Sequence, residues 1–303
     1  MKILIIPDFH YGKYSNKSVE EGLRSVQKQI IDTCIEKGID EVIFVGDLVR
    51  KKDLQKMDLQ VLFELKKYLL DLWESANVKV LSISGNHDQF TDNFINTPSN
   101  SVIDLLPVRT IDNETYILDI DRQVVTIGIP FYREGSEFME MINKIDFDSY
   151  HRHIVFVLIC HQTPKGSGYE SSDMVDFELP IFRKFTKIYC GHIHEPKEFL
   201  NVIQTGSCLA YKRNEQSQKY LYVFDTETME NESIKIDFQV SYDNQIQTIK
   251  KDTQLSSRLK AKESIFDIEK GIESYSSTQE KKEKVLQYGK NLYNKNIKSK
   301  PTK

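Results

Sequence analysis

Five of the chain's seven histidines fall in an ordered series of short segments rich in metal-binding side chains. The series runs Asp8-Phe9-His10, Gly46-Asp47, Gly85-Asn86-His87-Asp88, His161 and Gly191-His192-Ile193-His194. Its donors are the carboxylates of Asp8 and Asp47, the amide oxygen of Asn86, and the imidazoles of His10, His161, His192 and His194. Mixed oxygen and nitrogen donors suit divalent Mn, Fe or Zn better than Mg, which prefers oxygen. The donor count is enough for two ions. One carboxylate, that of Asp47, can give an oxygen to each, and Gly46 before it lets the backbone approach closely. Two cations ~3.5–4 Å apart clamp a phosphate and activate a water for in-line attack on phosphorus. The leaving oxygen then needs a proton. His87 sits next to a ligand yet is free to point elsewhere, and Asp88 can hold its other nitrogen.

The segments differ in specificity. Asp-x-His and Gly-Asp arise easily by chance. Gly-Asn-His-Asp and Gly-His-x-His after a strand do not, and the ordered set argues against histidines that merely cap loops or fill a core. His161 is the weakest member taken alone. His151 and His153 carry no motif and read as surface residues. Lys13 follows His10, and Arg50, Lys51 and Lys52 follow Asp47. These four are candidates for gripping a nucleic-acid backbone, against the plainer reading of solvated loops. Gly166-Ser167-Gly168 reads as a connection beside the site rather than a lid.

Each ligand segment follows a short apolar run that reads as a β-strand: KILIIP, EVIFV, KVLSIS, IVFVLIC and KIYC. The first three alternate with helical patterns around Val19–Lys37 and Leu54–Glu74. That order implies at least partly parallel sheets with crossover helices, and open α/β sheets place sites at the carboxyl ends of strands. Tyr116–Ile120 and Gln123–Ile129 read as a hairpin turning at Asp121-Arg122. Ile154–Cys160 and Lys187–Cys190 deliver the later histidines. Asn201–Gln204, Lys219–Asp225 and Ser233–Phe238 read as further strands. The expected fold class is α/β, with two mixed β-sheets packed as a sandwich and flanked by helices.

Bulk properties narrow the classes. The net charge of -4 excludes a globally basic nucleic-acid binder, but a metal pair lets an acidic protein hold phosphate. Cys34, Cys160, Cys190 and Cys208 form no Cys-x-x-Cys pair, so they read as small buried side chains. No run approaches the ~20 apolar residues of a membrane span. MKILIIPDFH reads as a first strand rather than a signal peptide, so the expected location is cytoplasmic, with no membrane partner.

Beyond Phe238 the composition becomes polar, and residues 240–258 read as a linker. Helical spacing returns at Leu255, Leu259, Ile265, Phe266, Ile268 and Ile272, then at Val285, Leu286, Leu292 and Tyr293. The expected division is a catalytic domain over 1–238 and a linker with helical tail over 239–303. Such a tail cannot bury its apolar stripes alone and should dock on the domain or on a partner.

The five segments resemble those of the calcineurin-like metallophosphoesterases. Within that family the chain most resembles the nuclease subunit of SbcCD-type recombination complexes, especially the short phage version. KILIIPDFHYGK, the spacing from Asp47 to GNHD, GHIH followed by TGSCLAYKRNE, YLYVFDTET and KEKVLQYGKNLYNK carry the likeness. It covers most of 1–238 and the final segment. The resemblance implies a metallophosphoesterase fold and two sites. One cation takes Asp8, His10, Asp47 and His194; the other takes Asp47, Asn86, His161 and His192. His87 is the implied proton donor, supported by Asp88. The cofactors implied are two divalent ions, Mn²⁺ foremost. The implied activities are 3′–5′ exonuclease on double-stranded DNA and endonuclease on single strands. The implied partners are DNA, a second copy of the chain and an SMC-like ATPase. The family usually has an acidic residue where Arg50 stands, and the C-terminal region is short for its capping domain.

The leading expectation is therefore a Mn²⁺-dependent DNA nuclease of a recombination and repair complex. The alternative is a free-standing metallophosphoesterase acting on a nucleotide or phosphoprotein. A scaffold that has lost its metals is a third, opposed by the intact ligand set. The apolar stripe of the helix around Leu54–Trp73 is broader than one sheet face requires, and the resemblance implies that part of it forms a helical bundle with a second copy, with help from residues near Val102–Leu106; packing on its own sheet is the competing reading.

Overall fold

The computed structural model describes residues 1–50, 59–89, 102–111, 115–119, 124–150, 154–215 and 217–242. Lys51, Lys52, His151, His153, the hairpin turn at Asp121-Arg122 and the stretch from Leu255 to Tyr293 lie outside them.

The chain opens with β1 (Lys2–Ile6), α1 (Lys17–Lys37), β2 (Glu41–Phe44), α2 (Leu59–Ala76) and β3 (Lys79–Ser82). It continues through β4 (Arg109–Thr110), β5 (Thr115–Asp119), β6 (Val124–Ile129) and α3 (Gly135–Asn143). Then follow β7 (Val155–His161), β8 (Thr163–Pro164), β9 (Met174–Val175) and β10 (Lys187–Gly191). The described chain closes with β11 (Lys197–Phe199), β12 (Val202–Gln204), β13 (Tyr220–Asp225) and β14 (Glu230–Lys235).

Two six-stranded sheets result, ordered β14-β13-β1-β2-β3-β4 and β11-β12-β10-β7-β6-β5. Strands β1, β2, β3 and β4 run parallel, as do β6, β7, β10 and β12, while β13, β14, β11 and β5 add antiparallel pairings. Alternation along β1 shows how the layers form. Ile3 and Ile5 join Ile43 and Leu81 against Val157, Ile159, Tyr189 and Ile203 of the second sheet. Leu4 and Ile6 face the other way, with Val42, Phe44 and Val80, onto the helices. Because both faces are covered, these central strands are apolar at nearly every position. The second sheet's outer face packs Leu158, Ile188 and Val202 with Phe138 and Ile142 of α3 and with Phe182. The fold is thus the sandwich of two mixed sheets flanked by helices that the strand pattern implies.

The first helix begins at Asn16, whose side chain accepts from the Ser18 amide, and ends at Gly38 with φ 62°. Three details differ from the sequence pattern. The last strand lies at Glu230–Lys235, not Ser233–Phe238, because Ile236 leaves the edge to enter the helix-side core and Phe238 packs near Gly22. Helix α3, of 9 residues, and the strands β4, β8, β9 and β11, of 2 or 3, are too short to be read in advance. Packing also continues past Phe238: Val240 is buried, and the Tyr242 hydroxyl donates to the Ala210 carbonyl at 2.6 Å. On α2, Val61, Leu62, Leu65, Tyr68, Leu69 and Leu72 are buried within the chain, leaving Phe63 and Trp73 exposed. All four cysteines are buried free thiols. Among the described residues, no helix is long and apolar enough to cross a membrane.

Candidate metal centre

The carboxyl ends of β1, β2, β3, β7 and β10 open onto one pocket. Its loops are tied together by main chain. The amides of Phe9 and His10 both donate to the Asp47 carbonyl, at 3.2 and 2.8 Å. Asp8 and His10 both reach His194, though through a loop turned at His10 rather than along a regular strand. His10, Asp47 and His192 have φ of 46°, 48° and 89°. Left-handed backbone at three presumed ligands stores strain that the surrounding packing must hold. The motif glycines are there for space. A Cβ on Gly85 would come within 2.2 Å of Asp47 Oδ1, and one on Gly191 within 2.7 Å of Asp8 Oδ1.

The donors converge as two sets. In the first, His10 Nε2 lies 2.9 Å from His194 Nε2 and 3.6 Å from Asp47 Oδ2, and His194 Nε2 lies 3.8 Å from Asp8 Oδ2. In the second, Asn86 Oδ1 lies 3.2 Å from His161 Nε2 and 3.0 Å from His192 Nδ1, and Asp47 Oδ1 lies 3.4 Å from His161 Nε2. Asp47 therefore turns one oxygen to each set. Facing nitrogens such as His10 Nε2 and His194 Nε2, 2.9 Å apart, have room for at most one hydrogen between them. Lone pairs gathered in so buried a pocket (Asp8 and Asp47 are 0% and 2% exposed) repel one another and attract a cation. The donor set fits two divalent ions of the Mn, Fe or Zn type.

The electrostatics agree. Burial lifts the Asp8 carboxyl to about 6 despite His161. Burial also works to raise Asp47, but the imidazoles of His161, His10 and His87 outweigh it and hold the group well below the usual carboxylate range. Burial disfavours charge on His161, yet Asp47 and Asp8 carry it up to about 10. Burial and the neighbouring His161 push His192 down to about 4. A pocket that draws a proton onto His161 is one where positive charge is stabilised.

Around the donors stands a further ring of partners. His161 Nδ1 bonds the Val45 carbonyl at 2.8 Å, His194 Nδ1 bonds Glu215 Oε1 at 3.0 Å, and His192 Nε2 lies 3.5 Å from Asp173 Oδ2. Asp173 is itself fixed by the amide and hydroxyl of Thr163, at 3.0 and 2.7 Å. Partners of this kind orient imidazole ligands and set their tautomer. Phe131 lies against His192 and Tyr211 against His10, with centroids 5.3 and 5.1 Å apart. Sequence reasoning missed Asp173, Glu215, Phe131 and Tyr211; Tyr211 and Glu215 fall in the TGSCLAYKRNE stretch that carries the likeness, while nothing in the type or spacing of Asp173 and Phe131 marks them.

His87 is half-buried beside the first donor set, edge-on to His10 with centroids 4.8 Å apart. Its amide donates to Asp47 Oδ1 at 2.8 Å, and its Nδ1 meets the Arg50 carbonyl at 2.6 Å. A carbonyl can only accept, so Nδ1 carries hydrogen and Nε2 is left for exchange. This corrects the support expected from Asp88. The buried Asp88 carboxylate accepts from the amides of Gly85, Leu48 and Val49, at 2.8, 3.3 and 3.1 Å, stapling two ligand loops together. Burial and the nearby Asp47 raise Asp88 to about 7 against those amides. Arg50 folds back: its guanidinium lies 4.0 Å from the Tyr14 ring centroid and donates to the Lys13 carbonyl.

The five segments thus meet at one pocket, and the match to known proteins covers them. Residues 1–196 match the model of the calcineurin-like phosphoesterase family. The chain belongs to that family. Calcineurin-like phosphoesterases are metal-dependent hydrolases of phosphoesters, and all five ligand segments lie inside the matched span. No curated protein matches the sequence. Among solved structures, GAP50, described as the anchor in the inner membrane complex of Plasmodium, aligns with a TM-score of 0.53 at 12% identity, over 87% of this chain and 94% of that one. A novel archaeal phosphodiesterase aligns with a TM-score of 0.39 at 17% identity, over 78% of this chain and 99% of that one. At such an identity the likeness to GAP50 speaks to the fold alone.

Proposed function

We propose that this calcineurin-like phosphoesterase is a DNA nuclease. It hydrolyses phosphodiester bonds with two divalent cations, Mn²⁺ foremost, digesting duplex DNA from 3′ ends and cutting single strands. It acts as a dimer with an SMC-like ATPase of an SbcCD-type complex. The observation that carries the hydrolytic part is Asp47, which turns Oδ2 to the first donor set and Oδ1 to the second, Oδ1 also accepting the His87 amide. The choice of DNA rests on the sequence likeness, which extends past the matched span into TGSCLAYKRNE and YLYVFDTET.

When bound, the two cations supply positive charge against the phosphate and acidify a water. The chain's own residues do the rest. Asp8, His10 and His194 on one side, and Asn86, His161 and His192 on the other, fix where that charge sits. Asp47 keeps the sides in register. His87, anchored through Nδ1–H on the Arg50 carbonyl, presents Nε2; as the imidazolium it gives the Nε2 proton to the departing sugar oxygen and is left neutral with its hydrogen on Nδ1. Phe131 and Tyr211 pack against the ligand rings and limit the water around them.

End-labelled duplex incubated with Mn²⁺ tests the reading, with His87→Asn as control. Shortening from 3′ ends that needs Mn²⁺ and fails in the variant is the expected result. Cleavage of a small phosphodiester with every DNA left intact, even beside its ATPase partner, moves the substrate to a nucleotide or phosphoprotein.

A further inference from the structure

His194 is held from two directions by residues beyond the family match, which ends at 196. Its carbonyl accepts from Lys219 Nζ at 2.7 Å and from the Ser207 amide at 3.3 Å. Its ring is held separately, by Glu215 alone among the described contacts of Nδ1. Glu215 is mostly buried and fully engaged. One oxygen faces His194 Nδ1 at 3.0 Å, and the other accepts the amides of Tyr211 and Lys212 at 2.9 and 3.2 Å. Lys212 Nζ stands 3.8 Å away.

We propose that Glu215 is a positioning residue that fixes the tautomer of His194 and so sets the affinity of the Asp8–His10–His194 cation site. A carboxylate only accepts hydrogen bonds. Held against one, His194 keeps its hydrogen on Nδ1 and turns the lone pair of Nε2 into the pocket. The partner also raises the basicity of that nitrogen. The other donor set does not use Glu215: His161 leans on Val45, and His192 on Asp173. The inference rests on the reading of the pocket as a two-cation site.

Substitution by glutamine separates this role from a structural one. A Gln side chain has one accepting oxygen and one donating amide. Two main-chain amides compete for the oxygen against one ring N–H, so the oxygen faces Tyr211 and Lys212. The NH₂ then points at His194 Nδ1 and donates to it. That reverses the tautomer, puts hydrogen on Nε2 and removes a ligand. In Glu215→Ala, water replaces the lost oxygen and leaves the tautomer free, while the 211–215 turn loses its clamp. The two variants therefore rank in opposite orders for stability and for metal.

The test is equilibrium dialysis of the full chain against Mn²⁺ with metal analysis, beside thermal melting. Wild type should bind two equivalents. Glu215→Gln should melt closer to wild type than Glu215→Ala, yet bind one equivalent roughly 10–100-fold more weakly and more weakly than the Ala variant does. Affinity that merely follows melting temperature, or two unchanged equivalents in both variants, overturns the inference alone. Fewer than two equivalents in wild type overturns the two-cation reading and this inference with it.

Discussion

The ligands supplied by the first sheet are held differently from those supplied by the second. Loops leaving β1, β2 and β3 are strapped to one another by main-chain amides that donate to the Asp47 carbonyl and to the carboxylates of Asp47 and Asp88. His10 N–H meets the Asp47 carbonyl, His87 N–H meets Asp47 Oδ1, and Asp88 gathers three amides from two loops. On the second sheet only His161 is oriented by a carbonyl, that of Val45, which the first sheet provides. The ring nitrogens of His192 and His194 that face away from the pocket each meet a single carboxylate, Asp173 and Glu215, carried by segments with little regular structure. The first-sheet loops share several bonds centred on Asp47 and Asp88, whereas each of these two imidazoles loses its carboxylate partner with one substitution. The first sheet thus sets the frame of the site, and the second contains the positions at which individual side chains tune it.

Removing the piece common to both sides should have the largest effect. Asp47→Ala deletes an oxygen from each donor set and the anchor of the His87 amide. Bound metal should fall toward zero at both sites and phosphodiester turnover to background, as read by metal analysis and a chromogenic ester. Retention of one tightly bound cation would show that the sets are independent and that the frame does not run through Asp47.

Next comes His87→Asn. It removes the proton donor while leaving the donor atoms of both sets in place, so turnover should drop by roughly 10²–10⁴-fold with two cations still bound. A variant that loses metal in proportion to activity would make His87 a ligand instead.

A smaller and one-sided effect is expected from Asp173→Asn. Asp173 accepts from the amide and hydroxyl of Thr163 and faces His192 Nε2. An amide in its place should weaken one cation by about 10–100-fold and leave the other unchanged. Equal weakening of both equivalents would mean that the second sheet's partners act on the frame as a whole.

How far these contacts were legible in the sequence divides along the same line. Strands β1, β2, β3, β7 and β10 announce themselves as apolar runs because both faces of each are buried. Their ligands follow at once, in motifs whose glycines are dictated by the carboxylates that pack against them. Both the sandwich and the donor types could therefore be read from residue order. The outer partners could not. Glu215 sits in a turn after Tyr211 and Asp173 just ahead of the two-residue strand β9, and their contacts depend on how distant loops fold back. The support of His87 departs from the sequence pattern for a related reason. Adjacency of Asp88 suggested a side-chain pair, but its buried carboxylate is drawn to unpaired amides, and the carbonyl of Arg50 is the acceptor the ring meets.

Arg50 gives the smallest and most discriminating change. By position it is a candidate for DNA, yet its side chain is turned onto Tyr14 and the Lys13 carbonyl, while its main-chain carbonyl holds His87. Arg50→Ala keeps that carbonyl. It should lower stability by about 0.5–1 kcal/mol through the lost stacking, measured by denaturation, and leave turnover of a small ester near wild type. Its DNA affinity should keep the same dependence on salt, since a side chain engaged within the fold displaces no counterions from phosphate. A salt slope reduced by about one would mean that the guanidinium leaves Tyr14 to grip the backbone. The loop between Asp47 and α2 would then belong to the substrate surface as well as to the frame.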